Sequence, residues 1–469
     1  MAKQAQYRVE RDTMGEVRIP EEALWGANTE RARLNLPISD RRMPWALLKA
    51  LADIKAAVAE AAGEKGYLDK EKADAIREAA REVAAGRYRD QFPLDVFQTG
   101  SGTSSNMNMN EVVANLANQR LGGGVGTYER VNPNDHVNFG QSSNDAIPSA
   151  LQLGAIDLLR NELIPKLEGL IDAWNAKARQ FGGVVKTGRT HLQDALPITF
   201  GHVFRAYAGV LERLKKSLEQ AVPLLAEIPL GGTAVGTGFQ APEGLVERAA
   251  ELLSSHLGVA IRTAADPLVH MAGRPAVTDT MGRVASLAAE LHRIANDVRM
   301  MGSGPRLGIG ELQLPSLQPG SSIMPGKVNP VVCESVVQAA LAVAGHHATA
   351  LAAAAGGQFE LNVTFPVTAY ALLESMQILA NACEVFRTRL VEGLEVREEN
   401  VRKNLDQSLA LATALISKIG YAEAAKVAYK AHEKGITVAQ AVVEMGVLAA
   451  DEVDKWLDPS RLVKRGRMK

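Results

Sequence analysis

Residues 277–298 read VTDTMGRVASLAAELHRIANDV, and Val277, Met281, Val284, Ala288, Leu291, Ala295 and Val298 recur in them at intervals of three and four. That spacing draws one apolar stripe down a long helix. Similar stripes occur near 149–180, 200–228, 331–355 and 367–392, with few strand signals between them. Helices of about 20 to 30 residues are too long for a compact single-subunit core and bury their stripes in extended bundles. Several such faces in one chain therefore imply association of subunits.

Outward from this region the pattern changes. Residues 1–140 open with the turn-rich DTMGEVRIPEEALWG and continue into a helical stretch with Leu48, Leu51, Ile54, Val58 and Ala62 on one face. Residues 141–398 carry the long helices. Residues 399–469 hold shorter ones broken at Gly420, Gly435 and Gly446, and read as a small C-terminal unit.

Hydrophobic residues make up 46% of the 469 and charged ones 22%, a soluble globular balance. Aromatics are only 5% and alanine dominates the apolar positions, so composition leans helical. Lysine and arginine number 52 against 53 acidic residues. A net charge of -1 gives no electrostatic reason to expect nucleic acid or an acidic membrane. The one basic run, Lys464, Arg465, Arg467 and Lys469, reads as a solvated tail. Cys333 and Cys383 lie in apolar helix-like surroundings and read as buried, reduced thiols of a cytosol. Two cysteines also exclude a protein-held iron–sulfur cubane, which needs at least three. MAKQAQYRVERDT has no apolar export core, so a cytoplasmic location is expected. The most membrane-like stretch, Val331 to Ala355, is interrupted by Glu334, Gln338, His346 and His347 and reads as a buried core helix.

Between the helices lie segments where donors accumulate. Thr99-Gly-Ser-Gly-Thr-Ser-Ser-Asn106 exposes backbone N–H groups and hydroxyls at a helix start, a neutral cradle for a carboxylate. Gln141-Ser-Ser-Asn-Asp145 repeats that chemistry before another helix, and a plain capped loop looks the same in either place. Thr187-Gly-Arg-Thr-His-Leu-Gln-Asp194 puts His191 in a polar loop, where a histidine has no packing reason to be. No H-E-x-x-H or C-x-x-C spacing supports a metal. Gly320-Ser-Ser-Ile-Met-Pro-Gly-Lys-Val-Asn-Pro330 joins one cation, Lys327, to a loop able to close over a substrate. Asn329 is a good N-cap and Pro330 a good first helical residue, with Glu334 about one turn in. Leu230-Gly-Gly-Thr-Ala-Val-Gly-Thr-Gly238 lacks a dinucleotide fingerprint and reads as a tight turn near the site.

Together these segments resemble the fumarase/aspartase superfamily, whose signature loop is matched by GSSIMPGKVNP, and the match extends over most of the chain from YRVERDTMGEV onward. Within it the resemblance is to class II fumarases: TGRTHLQDA carries His191 where aspartases have glutamine, and MPGK fits fumarases better than the MPAK of aspartases. The resemblance implies an all-α fold and a homotetramer on a 20-helix core, with each active site built from three subunits. It implies reversible hydration of fumarate to (S)-malate, as in the tricarboxylic acid cycle, with no cofactor and no metal. His191 and Ser321 match the catalytic pair, with Glu334 orienting His191. Ser101, Gly102, Thr103, Ser142, Ser143, Asn144, Thr190, Ser322, Lys327, Val328 and Asn329 match the substrate-binding segments. An accessory dicarboxylate site usually reads VHPND, whereas Val131-Asn-Pro-Asn-Asp135 has Asn132 in place of histidine, which puts Asn132, Pro133, Asn134 and Asp135 in doubt as a second site.

The chemistry suits these residue types. A proton next to a carboxylate becomes removable once donors stabilise the resulting aci-carboxylate. Ser321 would be the base and His191 would protonate or activate water at the other carbon. Two rivals share the scaffold, an aspartate ammonia-lyase and a non-catalytic structural protein like the lens crystallins related to these lyases. His191 argues against the first, and the intact set of Ser321, His191, Lys327 and Glu334 against the second.

Overall fold

A computed structural model describes residues 6–463, so the basic run at Lys464, Arg465, Arg467 and Lys469 lies outside the described residues. The chain divides into two compact units. Among the described residues one comprises 6–165, Lys215–Ala288 and Ala340–Ala380; the other comprises Lys166–Leu214, Ala289–Ala339 and 381–463. The chain is mostly helical. Where an all-α chain was expected, four two-stranded sheets also occur among the described residues.

In the first unit the turn-rich opening is an antiparallel hairpin, Tyr7–Asp12 against Gly15–Pro20, closed through Thr13 and Met14. Val17 and Ile19, two apart and therefore on one face, are buried. Helix Trp45–Glu64 buries Leu48, Leu51, Ile54, Val58 and Ala62 as its periodicity predicts, and packs against helices Lys70–Ala84, Ser143–Leu158 and Leu245–Leu257. Helix Ser143–Leu158 passes into a π-helical turn, Leu159–Leu163, and resumes at Ile164. Pro165 lacks an N–H and its ring crowds the carbonyl four residues back, the usual cause of such a bulge.

In the second unit Trp174 is fully buried among Phe204, Tyr207 and Phe386, with ring centroids 5.3, 5.2 and 6.0 Å away. Leu405, Leu411, Leu415, Val427, Ala431, Val438, Val442 and Leu457 form a further cluster near the C-terminus. Gly420 kinks helix Ile416–Lys434 and Gly435 ends it, as breaks at glycine require.

All seven stripe residues from Val277 to Val298 are buried on helix Pro275–Met301. Helix Val331–Ala355 has the bounds read from the sequence, but it is not the buried core helix expected. Only 28% of its most apolar stretch is buried in this chain, and Leu341 and Leu351 stand 57% and 47% exposed. Both cysteines are buried and unpaired, and burial pushes each thiol up to about 12.

Candidate active site

Two helix starts lie side by side in the first unit. Helix Thr103–Arg120 begins at Gly102, whose φ of 76° is the left-handed region. A Cβ there would also come within 2.9 Å of Ile147 Cγ2 on the neighbouring helix, so glycine is required twice over. Ser101 and Thr103 share a hydroxyl hydrogen bond of 2.7 Å. Helix Ser143–Leu158 starts with a capping box in which Ser142 Oγ accepts from Asn144 N–H and the Asp145 carboxylate accepts from Ser142 N–H. Asn106 Nδ2 donates to Ser143 Oγ at 3.0 Å and ties the two starts together. Positive dipole ends and hydroxyls thus gather at one place, as an anion requires.

The glycine segment at 230–238 folds against the same corner. Asp145 Oδ2 accepts from Gly231 N–H and Thr233 N–H at 3.0 and 2.9 Å, and Asn144 Nδ2 donates to the Ala234 carbonyl at 2.9 Å. Asp145 is fully buried, and burial pushes its carboxyl up to about 6 against the pull of those N–H groups and Lys55.

At the doubtful accessory position Asn132 serves as a cap. Its side chain accepts from Asn134 N–H and Asp135 N–H, opening a π-helical turn at Pro133–Val137. His136, which sequence reading passed over, accepts from Asn132 N–H at 2.8 Å through Nδ1.

His191 lies in the second unit, and not in a polar loop. Val185–Thr190 pairs antiparallel with Gln193–Thr199, which leaves His191 and Leu192 as a two-residue turn with φ of 57° and 59°. A tight turn whose two central residues both have positive φ normally takes Asn or Gly. Holding His and Leu there stores strain of order 1 kcal/mol each, the kind found where a side chain must be aimed. Thr190, the last strand residue, and His191 are exposed. The first strand is clamped along its length: Arg189, next to the tip, forks onto Glu311 at 3.0 and 2.7 Å, and Lys186 Nζ, near the base, stands 3.4 Å from the same carboxylate. His191 lines a cavity of about 650 Å³ with Arg189, Tyr207 and Asp297.

The segment 320–330 is a loop closed on itself. Gly320 N–H donates to the Lys327 carbonyl at 2.8 Å, and a Cβ on Gly320 would overlap that oxygen at 2.5 Å. Ser321 Oγ accepts from Ile323 N–H and Met324 N–H at 3.2 and 3.0 Å. Asn329 is not the helix cap expected of it. Its Nδ2 donates to the Gly320 carbonyl at 2.8 Å, closing the loop, and the first helical hydrogen bond runs from Glu334 N–H to the Pro330 carbonyl. Helix Val331–Ala355 thus starts one residue later. Ser322, Lys327 and Val328 are exposed, and Ser321 and Glu334 half-buried. Ser321, Lys327 and Val328 line a second cavity of about 450 Å³.

Within one chain, then, Ser101–Thr103 and Ser142–Asn144 come together. His191 and Ser321 line different cavities, and among the described residues no hydrogen bond joins Glu334 to His191. Against known proteins, the family described as "Lyase" matches residues 15–345, and "Fumarase C C-terminus" matches 411–464. The chain is 43% identical to the class II fumarate hydratase of Campylobacter jejuni over 98% of this chain and 99% of that one. It is 46% identical to that of Corynebacterium efficiens over 97% and 96%. The chain belongs to the class II fumarate hydratase family. A crystal structure of class II fumarase from Schistosoma mansoni superposes with a TM-score of 0.94 at 34% identity, covering 98% of this chain and all of that one. Sequence reading of this family member missed Lys55, Asn138 and Glu311, and gave Asn106 no role beyond its place in the donor segment. None of the three missed residues stands in a segment quoted for its donors; each is set by partners distant in the chain.

Proposed function

We propose that the chain hydrates fumarate reversibly to (S)-malate, the step of the tricarboxylic acid cycle, through an aci-carboxylate and without a cofactor. The observation that carries this reading is the pair of backbone N–H groups on Ser321 Oγ. Two donors fixed on that oxygen favour its alkoxide, the form able to take the proton beside a malate carboxylate. The C–H electron pair moves into the carboxylate to give a doubly charged enolate-like species. Hydroxide then leaves from the other carbon as water, carrying a proton from His191, which Glu334 orients. Ser101, Gly102, Thr103, Ser142, Ser143, Asn144, Thr190, Ser322, Lys327, Val328 and Asn329 hold the dianion.

Because His191 and Ser321 line separate cavities in one chain, the reading includes a homotetramer whose sites are each built from three subunits. The exposed apolar face of helix Val331–Ala355 supports it, since a 20-helix core would bury that face. The division into residues 1–140, 141–398 and 399–469 and a cytoplasmic location belong to the same reading. The test is ultraviolet absorbance of fumarate with purified protein. Loss of signal in plain buffer is expected; loss only with ammonium transfers the assignment to an aspartate ammonia-lyase, and no loss leaves a structural protein.

A further inference from the structure

Lys55 sits on helix Trp45–Glu64 with no exposure. Its Nζ donates to Asn106 Oδ1 at 2.9 Å, Asn138 Oδ1 at 3.0 Å and Gln141 Oε1 at 3.0 Å. A neutral amine has two N–H groups and a lone pair, so three acceptors require the ammonium. Burial pulls the lysine down to about 7, and the Asp145 charge opposes that pull. The nearby Asp145 carboxylate is occupied by the N–H groups of Ser142, Gly231 and Thr233.

An ammonium accepts nothing, so each of the three amides must turn its oxygen toward Lys55 and its NH2 away. Asn106 Nδ2 accordingly donates to Asn138 Oδ1 at 3.1 Å and to Ser143 Oγ at 3.0 Å. A hydroxyl that accepts from an amide keeps its own proton to give. Without the ammonium Asn106 is free to flip, and Ser143 then donates inward and offers a lone pair to an incoming carboxylate.

We propose that Lys55 is a positioning residue whose ammonium, through Asn106, fixes Ser143 Oγ as a proton donor toward a substrate carboxylate. The inference rests on the reading that Ser143 meets substrate. The polarity of the cradle is then set from beneath by a group that never touches the ligand, and cooperative hydrogen bonding strengthens the outermost donor.

The test is Lys55→Met in the full-length protein, with succinate as an unreactive dicarboxylate probe in calorimetry, fumarate kinetics beside it and thermal melting as a control. The succinate Kd and the fumarate KM are expected to rise roughly tenfold or more, as loss of a charge-assisted hydrogen bond predicts, with a smaller change in kcat. Adding Ser143→Ala to that variant should cost little more, because both act on one contact. Asn106→Asp is the second variant: it keeps an acceptor for Lys55 but loses the NH2, and should weaken succinate similarly even if Lys55→Met does not fold. A folded variant of either kind that binds succinate within about twofold of the unaltered protein, whatever its melting temperature, overturns the proposal. Unaltered protein that binds succinate without hydrating fumarate defeats the hydratase reading alone, whereas protein that does not bind succinate overturns the relay.

Discussion

Arg189 places both arms of its guanidinium on the two oxygens of Glu311, a carboxylate with no exposure, 122 residues away in sequence. Lys186 reaches the same carboxylate from the same strand, and Asn404 Nδ2 donates to it at 3.2 Å. His191 stands two residues beyond Arg189. The hairpin tip is exposed and strained, so its aim depends on that anchored strand.

Replacing Arg189 with Met leaves a buried carboxylate short of its main partner. Stripping one partner from a buried pair costs on the order of 3 kcal/mol. The urea midpoint should fall accordingly, and kcat should fall at least about tenfold as His191 loses its aim. Arg189→Lys should rescue neither fully, since a lysine has no fork to span two oxygens. Unchanged midpoint and kcat in Arg189→Met would show that the clamp is idle.

The same carboxylate shapes acid stability. Burial pushes Glu311 up, but hydrogen bonds from Arg189 and the charge of Lys186 outweigh it and leave it below its ordinary 4.5. A depressed carboxylate contributes stability that is complete above its unfolded pKa and drains away as pH falls through the folded value. Glu311→Gln should therefore be less stable at neutral pH and lose less on acidification below pH 4.5. Urea midpoints across that range measure it; parallel acid limbs for the two proteins would refute it.

Gly320 cannot carry a side chain without opening the loop, because a Cβ would stand 2.5 Å from the Lys327 carbonyl and 2.9 Å from Asn329 N. Both are backbone atoms and cannot swing aside. Gly320→Ala should lower kcat/KM by about tenfold or more through misplacement of Ser321 and Lys327. The melting temperature should hold within about a degree or two, since surface changes cost little. A variant with normal kinetics would mean that the closed form of the loop is not the working one.

Ser321→Ala removes the oxygen on which two backbone N–H groups converge while leaving the loop backbone and its Gly320–Lys327 closure in place. Turnover should fall at least about a hundredfold, the scale of a lost general base, with succinate still bound and the oligomer intact. Retention of more than roughly a few per cent of kcat would take Ser321 out of the mechanism.

Long helices were legible because burial imposes a period: every stripe residue from Val277 to Val298 is in the core. The donor segments were legible because nothing in packing asks for Thr99–Asn106 or Gly320–Pro330. The hairpin around His191 was not, since its turn residues are His and Leu rather than the Asn and Gly that announce positive φ. Asn329 misled for a related reason. A residue suited to capping has an amide free for other work, and here Gly320 takes it. Lys55 was invisible, as one lysine in an alanine-rich helix normally faces water; only Asn106, Asn138 and Gln141, 51 to 86 residues away, make it a buried ammonium.

Leu341 and Leu351 test the assembly. Helix Val331–Ala355 exposes both, on a stretch of which only 28% is buried within the chain. In soluble proteins an apolar surface of that size is the kind that another chain covers. If four copies bury it, Leu341→Asp places a carboxylate in an apolar seam, at a cost of several kcal/mol per copy. The species seen by light scattering should drop from four chains toward one or two while far-ultraviolet dichroism keeps its helical signal. On the three-subunit reading activity should fall with it, because His191 and Ser321, which line separate cavities in one chain, would then meet across subunits. A Leu341→Asp protein that stays tetrameric would place the shared core on another face. One that dissociates yet keeps full kcat would show that a single chain completes the site, and the three-subunit reading would fail.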